Sequence, residues 1–173
     1  MHALEPARET IHHVNQLLRR LRQYQTEGEW VSAVLDGASH FVSHVAVFAI
    51  EGDALRLRGQ AGLSIPENMA FSISSAGAFR AAVASKDPVI ALRTPAEVTE
   101  RLSAPEAGAR AHIIPILNGS RVVAVLFAAN QDQTDLNAIE LITGIASIVL
   151  ERKSNESLHA QIASQQSAST RFG

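Results

Sequence analysis

Residues 111–129 read Ala-His-Ile-Ile-Pro-Ile-Leu-Asn-Gly-Ser-Arg-Val-Val-Ala-Val-Leu-Phe-Ala-Ala. Two apolar runs rich in β-branched residues, joined by Asn118-Gly119, are the strongest short-range signal for a β-hairpin, with positive φ expected at both central turn residues. In the second strand both alternating sets are apolar. Val122, Ala124, Leu126 and Ala128 fall on one face and Val123, Val125 and Phe127 on the other, so this strand is expected to be covered on both sides. A long apolar helix follows, beginning at Thr134 or Asp135. Helices must therefore pack against a sheet whose centre is dry on both faces.

The chain has 173 residues, 46% apolar and 18% charged, which suits one soluble domain with helical extensions. A net charge of -2 and a pI near 6.4 offer no broad positive field, so no nucleic-acid partner is expected. No apolar run approaches the roughly 18 residues of a membrane span, and Met1 to Glu9 is polar rather than signal-like. The reading is a cytoplasmic protein that does not engage a membrane. Cysteine is absent. That excludes thiol catalysis, thiolate metal sites and thioether-linked chromophores.

Leu4, Ala7, Ile11, Val14, Leu18 and Leu21 recur at spacings of three and four, the pattern of a pairing helix over residues 1–28. Glu27-Gly28-Glu29 interrupts it, and a second helix carries Trp30, Val34, Ala38 and Phe41 with Val31 and Leu35 beside them. Strands are expected at His44 to Ile50 and Leu55 to Gln60, joined by Glu51-Gly52-Asp53. In the second of these, Leu55, Leu57 and Gly59 alternate with Arg56, Arg58 and Gln60, which predicts one wet face. A short strand at Met69 to Ile73 leads through Ser74-Ser75 into a helix over Ala76 to Ser85, then a strand at Val89 to Leu92. Thr94-Pro95-Ala96-Glu97 reads as a capping box opening a short helix. The last helix is expected to reach about Ala163, with Ser164 to Gly173 disordered. Its apolar residues, Leu136 to Leu150, cover about two thirds of the circumference, more than one sheet contact requires.

This order of elements resembles the GAF family of sensory domains over about Glu29 to Glu151. The matching residues are the hairpin Val45 to Gly62, the segment Gly77-Ala78-Phe79 through Ala84-Ser85-Lys86-Asp87-Pro88-Val89-Ile90, and Ile113-Ile114-Pro115-Ile116-Leu117 with its Asn-Gly turn and Val122 to Leu126. Ala124 stands where the family commonly has Gly. The resemblance implies an α+β fold, an α/β/α sandwich with an antiparallel sheet of about six strands. The N- and C-terminal helices would lie on one face, and short helices and loops would cover a pocket on the other. It divides the chain into a dimerisation helix (1–28), a sensory domain (29–151) and a helical extension with a tail (152–173). The family's cyclic-nucleotide signature is not recognisable here. Its covalent bilin site and its free methionine sulfoxide reductase activity depend on Cys, which this chain lacks.

The candidate pocket residues are Phe48, Phe71, Ser74, Phe79, Arg93, Arg101, Arg110, His112 and Ile114. His112 shares a strand face with Ile114 and Ile116, as a polar anchor among apolar chains or as an ordinary strand-end histidine. Arg93, Arg101 and Arg110 fall on the pocket cover, where guanidinium groups clamp carboxylate or phosphate; exposed loop arginines read the same way. Ser74 and Ser75 read either as an anion site or as caps of the helix that follows, and capping is the reading preferred. His40 and His44 have i, i+4 spacing but no third metal ligand, so a helix-end role is expected; His12 and His13 are read as solvated. No catalytic constellation, cofactor motif or metal set is present. The expected interface of a homodimer is Ile11, Val14, Leu18 and Leu21 with Ile142, Ile145 and Val149. The function these residues imply is a small-molecule-sensing signalling module acting on an unidentified downstream protein; the alternative is a ligand-free dimerisation or docking scaffold.

Overall fold

In the computed structural model, which describes residues 4–130 and 136–171, a six-stranded antiparallel sheet lies between two layers of helix. The elements are α1 (Leu4–Gln23), α2 (Glu27–Ala38), β1 (His44–Glu51), β2 (Ala54–Ala61), β3 (Ala70–Ser72), α3 (Gly77–Ser85), β4 (Val89–Leu92), α4 (Pro95–Val98), β5 (Arg110–Asn118), β6 (Arg121–Ala129) and α5 (Leu136–Arg171). Single 3₁₀ turns cover Ile73–Ser75 and Glu100–Leu102. The strand order is β3-β2-β1-β6-β5-β4, which puts the two apolar strands β1 and β6 at the centre. The expected α+β sandwich is what forms. The start expected for the last helix, Thr134 or Asp135, lies outside the described residues.

Each sheet face has its own core. On the helix face, Val45, Val47, Ile114, Ile116, Leu126 and Ala128 pack against α1, α2 and α5 through Leu17, Leu21, Trp30, Val34, Ile139, Ile142 and Ala146. On the lid face, Phe48, Leu55, Ile113, Val125 and Phe127 pack against α3, α4 and the second 3₁₀ turn through Ala78, Phe79, Ala82, Val98 and Leu102. At about 1.5–3 kcal/mol for each large side chain withdrawn from water, these two layers supply the main stabilisation. Leu17 and Leu21 share a cluster with Ile139, Ile142 and Ala146, while Tyr24 reaches Lys153, so α1 and α5 run in the same direction.

Two β-bulges alter the phase read from the sequence. Between β5 and β6, Ile116 opposes Ala124 and Leu117 opposes Val122, leaving Val123 as the extra residue. Val122 therefore joins Val125 and Phe127 on the lid face instead of following Ala124. Between β1 and β2, Val47 opposes Gly59 and Phe48 opposes Leu57, leaving Arg58 as the extra residue. Gly59 is thereby turned away from the face of Leu55 and Leu57 and lies under α2, where an added Cβ would come 2.6 Å from Leu35 Cδ1 and 2.9 Å from Val31 Cγ1. A strict period of two cannot register an inserted residue.

Local chemistry departs from expectation at several other points. The hairpin turns at Gly119-Ser120, between the facing pair Asn118 and Arg121, with positive φ at Gly119 alone. That is the φ pattern of a type II′ turn, not the Asn-Gly turn with two positive φ values. Thr94 precedes α4 without a side-chain cap. The working cap is at α2, where the Thr26 hydroxyl accepts from the Glu29 amide at 3.2 Å and the Glu29 carboxylate accepts from the Gln25 amide at 2.6 Å. α5 runs on through Arg171, so of the residues expected to be disordered 164–171 are helical and 172–173 lie outside the described residues, although every described side chain beyond Lys153 is exposed.

Candidate functional site

Beneath the lid, the space expected to be a pocket is occupied by aromatic rings. Phe48, Phe71 and Phe79 meet edge to face, with ring centres 5.3, 5.7 and 5.1 Å apart. Edge-to-face packing aligns the positive ring edge with the negative face of its neighbour, which adds to the gain from burial. Phe48 and Phe79 are fully buried and Phe71 half-buried.

Arg93 secures the lid from its rim. Its Nε donates to the Leu102 carbonyl at 2.9 Å, and its guanidinium carbon lies 5.3 Å from the centre of the Phe127 ring. Its backbone also bonds Ala109 and Ala104, so one residue ties the loop after α4 to the sheet. Burial lowers the Arg93 pKa and the nearby Glu106 carboxylate opposes that shift. Arg101 and Arg110 are exposed on the outer surface. Ser74 is exposed too, its hydroxyl 2.8 Å from that of Ser72, while the Ser75 hydroxyl donates to the Ser72 carbonyl. Neither serine caps α3, whose N-cap is Ala76.

His112 and Ile114 belong to the opposite side. In β5 it is Ile113 that faces the lid, so the even-numbered residues face α5, and Ile114 packs with Ile139 and Ile142. His112 does share that face with Ile114, but the face is the helix face rather than the pocket. Desolvation lowers the His112 pKa and Glu140 on α5 partly offsets it, while His112 Nδ1 is buried without a hydrogen-bond partner among the described residues.

The other histidines pair differently from their sequence spacing. α2 ends at Ala38, before either member of the His40/His44 pair. His40 instead stacks on His13 of α1, with centroids 3.7 Å apart and planes 18° apart, so His13 is half-buried rather than solvated. Among the described residues, no three His, Asp or Glu side chains assemble to hold a metal ion. In the lid, Thr99 has φ 76° and ψ 160°, a conformation nearly confined to glycine, and its hydroxyl is buried without a partner.

A feature missed in the sequence lies on the helix face. A cleft of about 310 Å³ is walled by Tyr24, Trp30, Val47, Arg58, Val123 and Leu150. Both bulged residues, Arg58 and Val123, line it, which is why alternation gave no sign of it. Arg58 is held at its edge by Glu51 and by Glu27 at 3.3 Å, and the Lys153 ammonium sits 3.9 Å from the centre of the Tyr24 ring.

The expected interface residues divide. Leu21 and Ile142 are core residues of the protomer itself, with Leu17 beside them, because α1 turns this side to α2 and α5. Val14, Leu18, Ile145 and Val149 are half-buried, and Ile11 is 61% exposed. On α5 the outward apolar residues are Leu141, Ile148, Leu158 and Ile162. No helix among the described residues is long and apolar enough to cross a membrane.

An antiparallel six-stranded sheet with the terminal helices on one face and a short-helix lid on the other defines a GAF fold, and solved structures agree. The GAF domain of a phosphoenolpyruvate-protein phosphotransferase (ptsP) from Coxiella burnetii matches at a TM-score of 0.68 and 11% identity, covering 87% of this chain and 96% of that one. The nlh2 GAF domain of A. aeolicus, in an inactive state, gives 0.61 at 19% identity over 83% and 93%. Free methionine-R-sulfoxide reductase from Neisseria meningitidis, in complex with its substrate, gives 0.61 at 16% over 87% and 94%. The fold thus serves GAF domains and also an enzyme. No protein-family model and no curated protein matches the sequence.

Proposed function

We propose that this chain is a cytoplasmic signalling module that acts as a homodimer through α1 and α5, with a lid face that is structural core. The observation that carries this reading is the second apolar side of α5, where Leu141 and Ile148 stand 49% and 66% exposed on a helix whose other side already covers the sheet. The interlocked Phe48, Phe71 and Phe79 favour the ligand-free scaffold over sensing beneath the lid. No catalytic step is proposed. The family resemblance ties GAF-type sulfoxide reductase activity to Cys redox chemistry, and this chain has no Cys. The same absence argues against a covalent bilin.

Small-molecule sensing remains a second reading because of the helix-face cleft. A ligand against Tyr24, Trp30 and Leu150 would touch α1, α2 and α5 at once and would shift their packing by its difference in affinity for two arrangements. Native mass spectrometry of the purified chain, gentle and then denaturing, tests both readings. A dimer without retained mass supports the scaffold; retained mass supports sensing; a monomer at tens of micromolar overturns the dimer.

A further inference from the structure

We propose that the outer edge of β4 receives an extended segment of a partner protein, which adds to the sheet as a further strand. The inference deepens the docking-scaffold reading above and rests on it. The Arg93 amide donates to the Ala109 carbonyl, and the register runs from Leu92 opposite Arg110 to Val89 opposite Ile113. Bonding alternates along an antiparallel pair, so Val89, Ala91 and Arg93 turn their N–H groups toward β5 while the main-chain groups of Ile90 and Leu92 point away from it. β4 is the last strand in the sheet order. The Leu92 carbonyl accepts from the Thr94 amide at 2.9 Å, which leaves the Ile90 N–H, the Ile90 carbonyl and the Leu92 N–H without partners among the described residues.

The neighbouring edges are closed. β5 continues past its last pairing with β4, and by the same alternation Pro115 and Leu117 turn their main chain to that vacant side. Pro115 has no N–H, and the Leu117 N–H donates to Ser147 Oγ at 3.1 Å. At the far edge of the sheet, the Ser72 carbonyl of β3 accepts the Ser75 hydroxyl at 2.7 Å. β4 carries no such guard. Its outer side chains are apolar instead, Ile90 and Leu92 standing 58% and 48% exposed on the helix face, opposite His112 and Arg110 of β5.

The dimensions select a peptide over a second copy. Four residues of strand extend about 13 Å, and a strip of that length about 10 Å wide buries roughly 300 Å² on both partners together, far below the roughly 1,000 Å² that two folded chains need. A flexible segment reaches further. A groove of about 300 Å³ opens at Pro88, the residue before β4, and lies between β5 and α5, walled by Lys86, Ile114, Glu140, Gly144 and Ser147. A Cβ built on Gly144 would meet nothing within 4 Å. A segment laid along β4 pairs through its main chain, sets aliphatic or aromatic side chains from alternate positions over Ile90 and Leu92, and continues past Pro88 into the groove. Arg110 is exposed beside Leu92 and has no ion pair among the described residues, so it fits an acidic residue at the other end of the segment.

Peptides of about twelve residues, selected from a random phage-displayed library against the whole chain, supply the probe. They should carry alternating apolar residues with an acidic flank. One such synthetic peptide should slow hydrogen exchange of the Ile90 and Leu92 amides, read by NMR, about ten-fold or more and leave Ala91, already bonded to β5, nearly unchanged. Ile90→Pro removes an outward N–H and spares the bonds to β5, and Leu92→Lys removes an apolar contact; each should weaken binding about ten-fold or more in a chain that still unfolds cooperatively. If no peptide is enriched, the inference falls. Peptides that protect other residues while Ile90 and Leu92 exchange as before sink the edge and leave the docking reading standing. Protection of these two amides by rising protein concentration alone makes a second copy the occupant, which also overturns it.

Discussion

The guanidinium of Arg93 lies over the ring of Phe127, 5.3 Å from its centre, while its Nε is committed to the carbonyl of Leu102. The residue thus works as a clasp between lid and sheet. Arg93→Ala should cost about 1–3 kcal/mol, the sum of a charge-assisted hydrogen bond and a partly desolvated cation–π contact, whereas Arg101→Ala on the exposed surface should change little. Urea denaturation of both variants checks the contrast. Equal effects would remove the clasp.

The three phenylalanines predict a graded response. Phe79→Ala, at a fully buried ring with two edge-to-face partners, should lose about 3–5 kcal/mol. Phe71→Ala, at a half-buried ring, should lose less and open the pocket that the rings now fill. Toluene or indole should then raise the Tm of Phe71→Ala and not that of the unsubstituted chain. An equal rise in both would show that the lid face already has room.

Thr99 is held at φ 76° with its hydroxyl unpartnered. Thr99→Gly relieves the steric conflict and removes the buried donor, against a smaller loss from the freer unfolded chain. A gain of about 1 kcal/mol is expected in thermal unfolding. Destabilisation would mean that packing of the Thr99 methyl group outweighs the strain.

His112 has its pKa lowered by desolvation, opposed in part by Glu140. The unfolded chain therefore binds this proton more readily than the folded one. The stability contributed is present in full above the ordinary histidine value and declines as pH falls from there through the lowered value. His112→Gln should remove this part of the pH dependence, so the gap in unfolding free energy between the two chains should narrow or reverse between pH 7.5 and about pH 5. A gap independent of pH would rule out His112 as a contributor.

Much of the scaffold was legible because it rests on local chemistry. The apolar runs of β1, β5 and β6 mark the middle of the sheet, and the break expected at Glu27-Gly28-Glu29 falls just before those residues, at 24–26, so that Glu27, Gly28 and Glu29 open α2. What was not legible depends on one residue more or less. The bulges at Arg58 and Val123 reverse the faces that strict alternation assigns, and they conceal the cleft that both residues line. His112 and Ile114 were grouped correctly on one strand face, but alternation alone does not say which layer that face meets. The heptad read across α1 failed at Leu21 for a related reason. A stripe built for burial reads the same whether its partner is another part of the chain or a second copy.

The common direction of α1 and α5 has a mechanical consequence. The beginning of α1 and the end of α5 lie at opposite ends of the sheet, and between them the helices are joined through the core cluster that holds Leu17, Leu21, Ile142 and Ala146 and by Lys153 over the ring of Tyr24. The domain therefore sits in series along a helical shaft. A twist applied to α1 reaches the far end of α5 through that zone and through α2, which packs on both helices, and that is where the body of the protein can lend stiffness or yield.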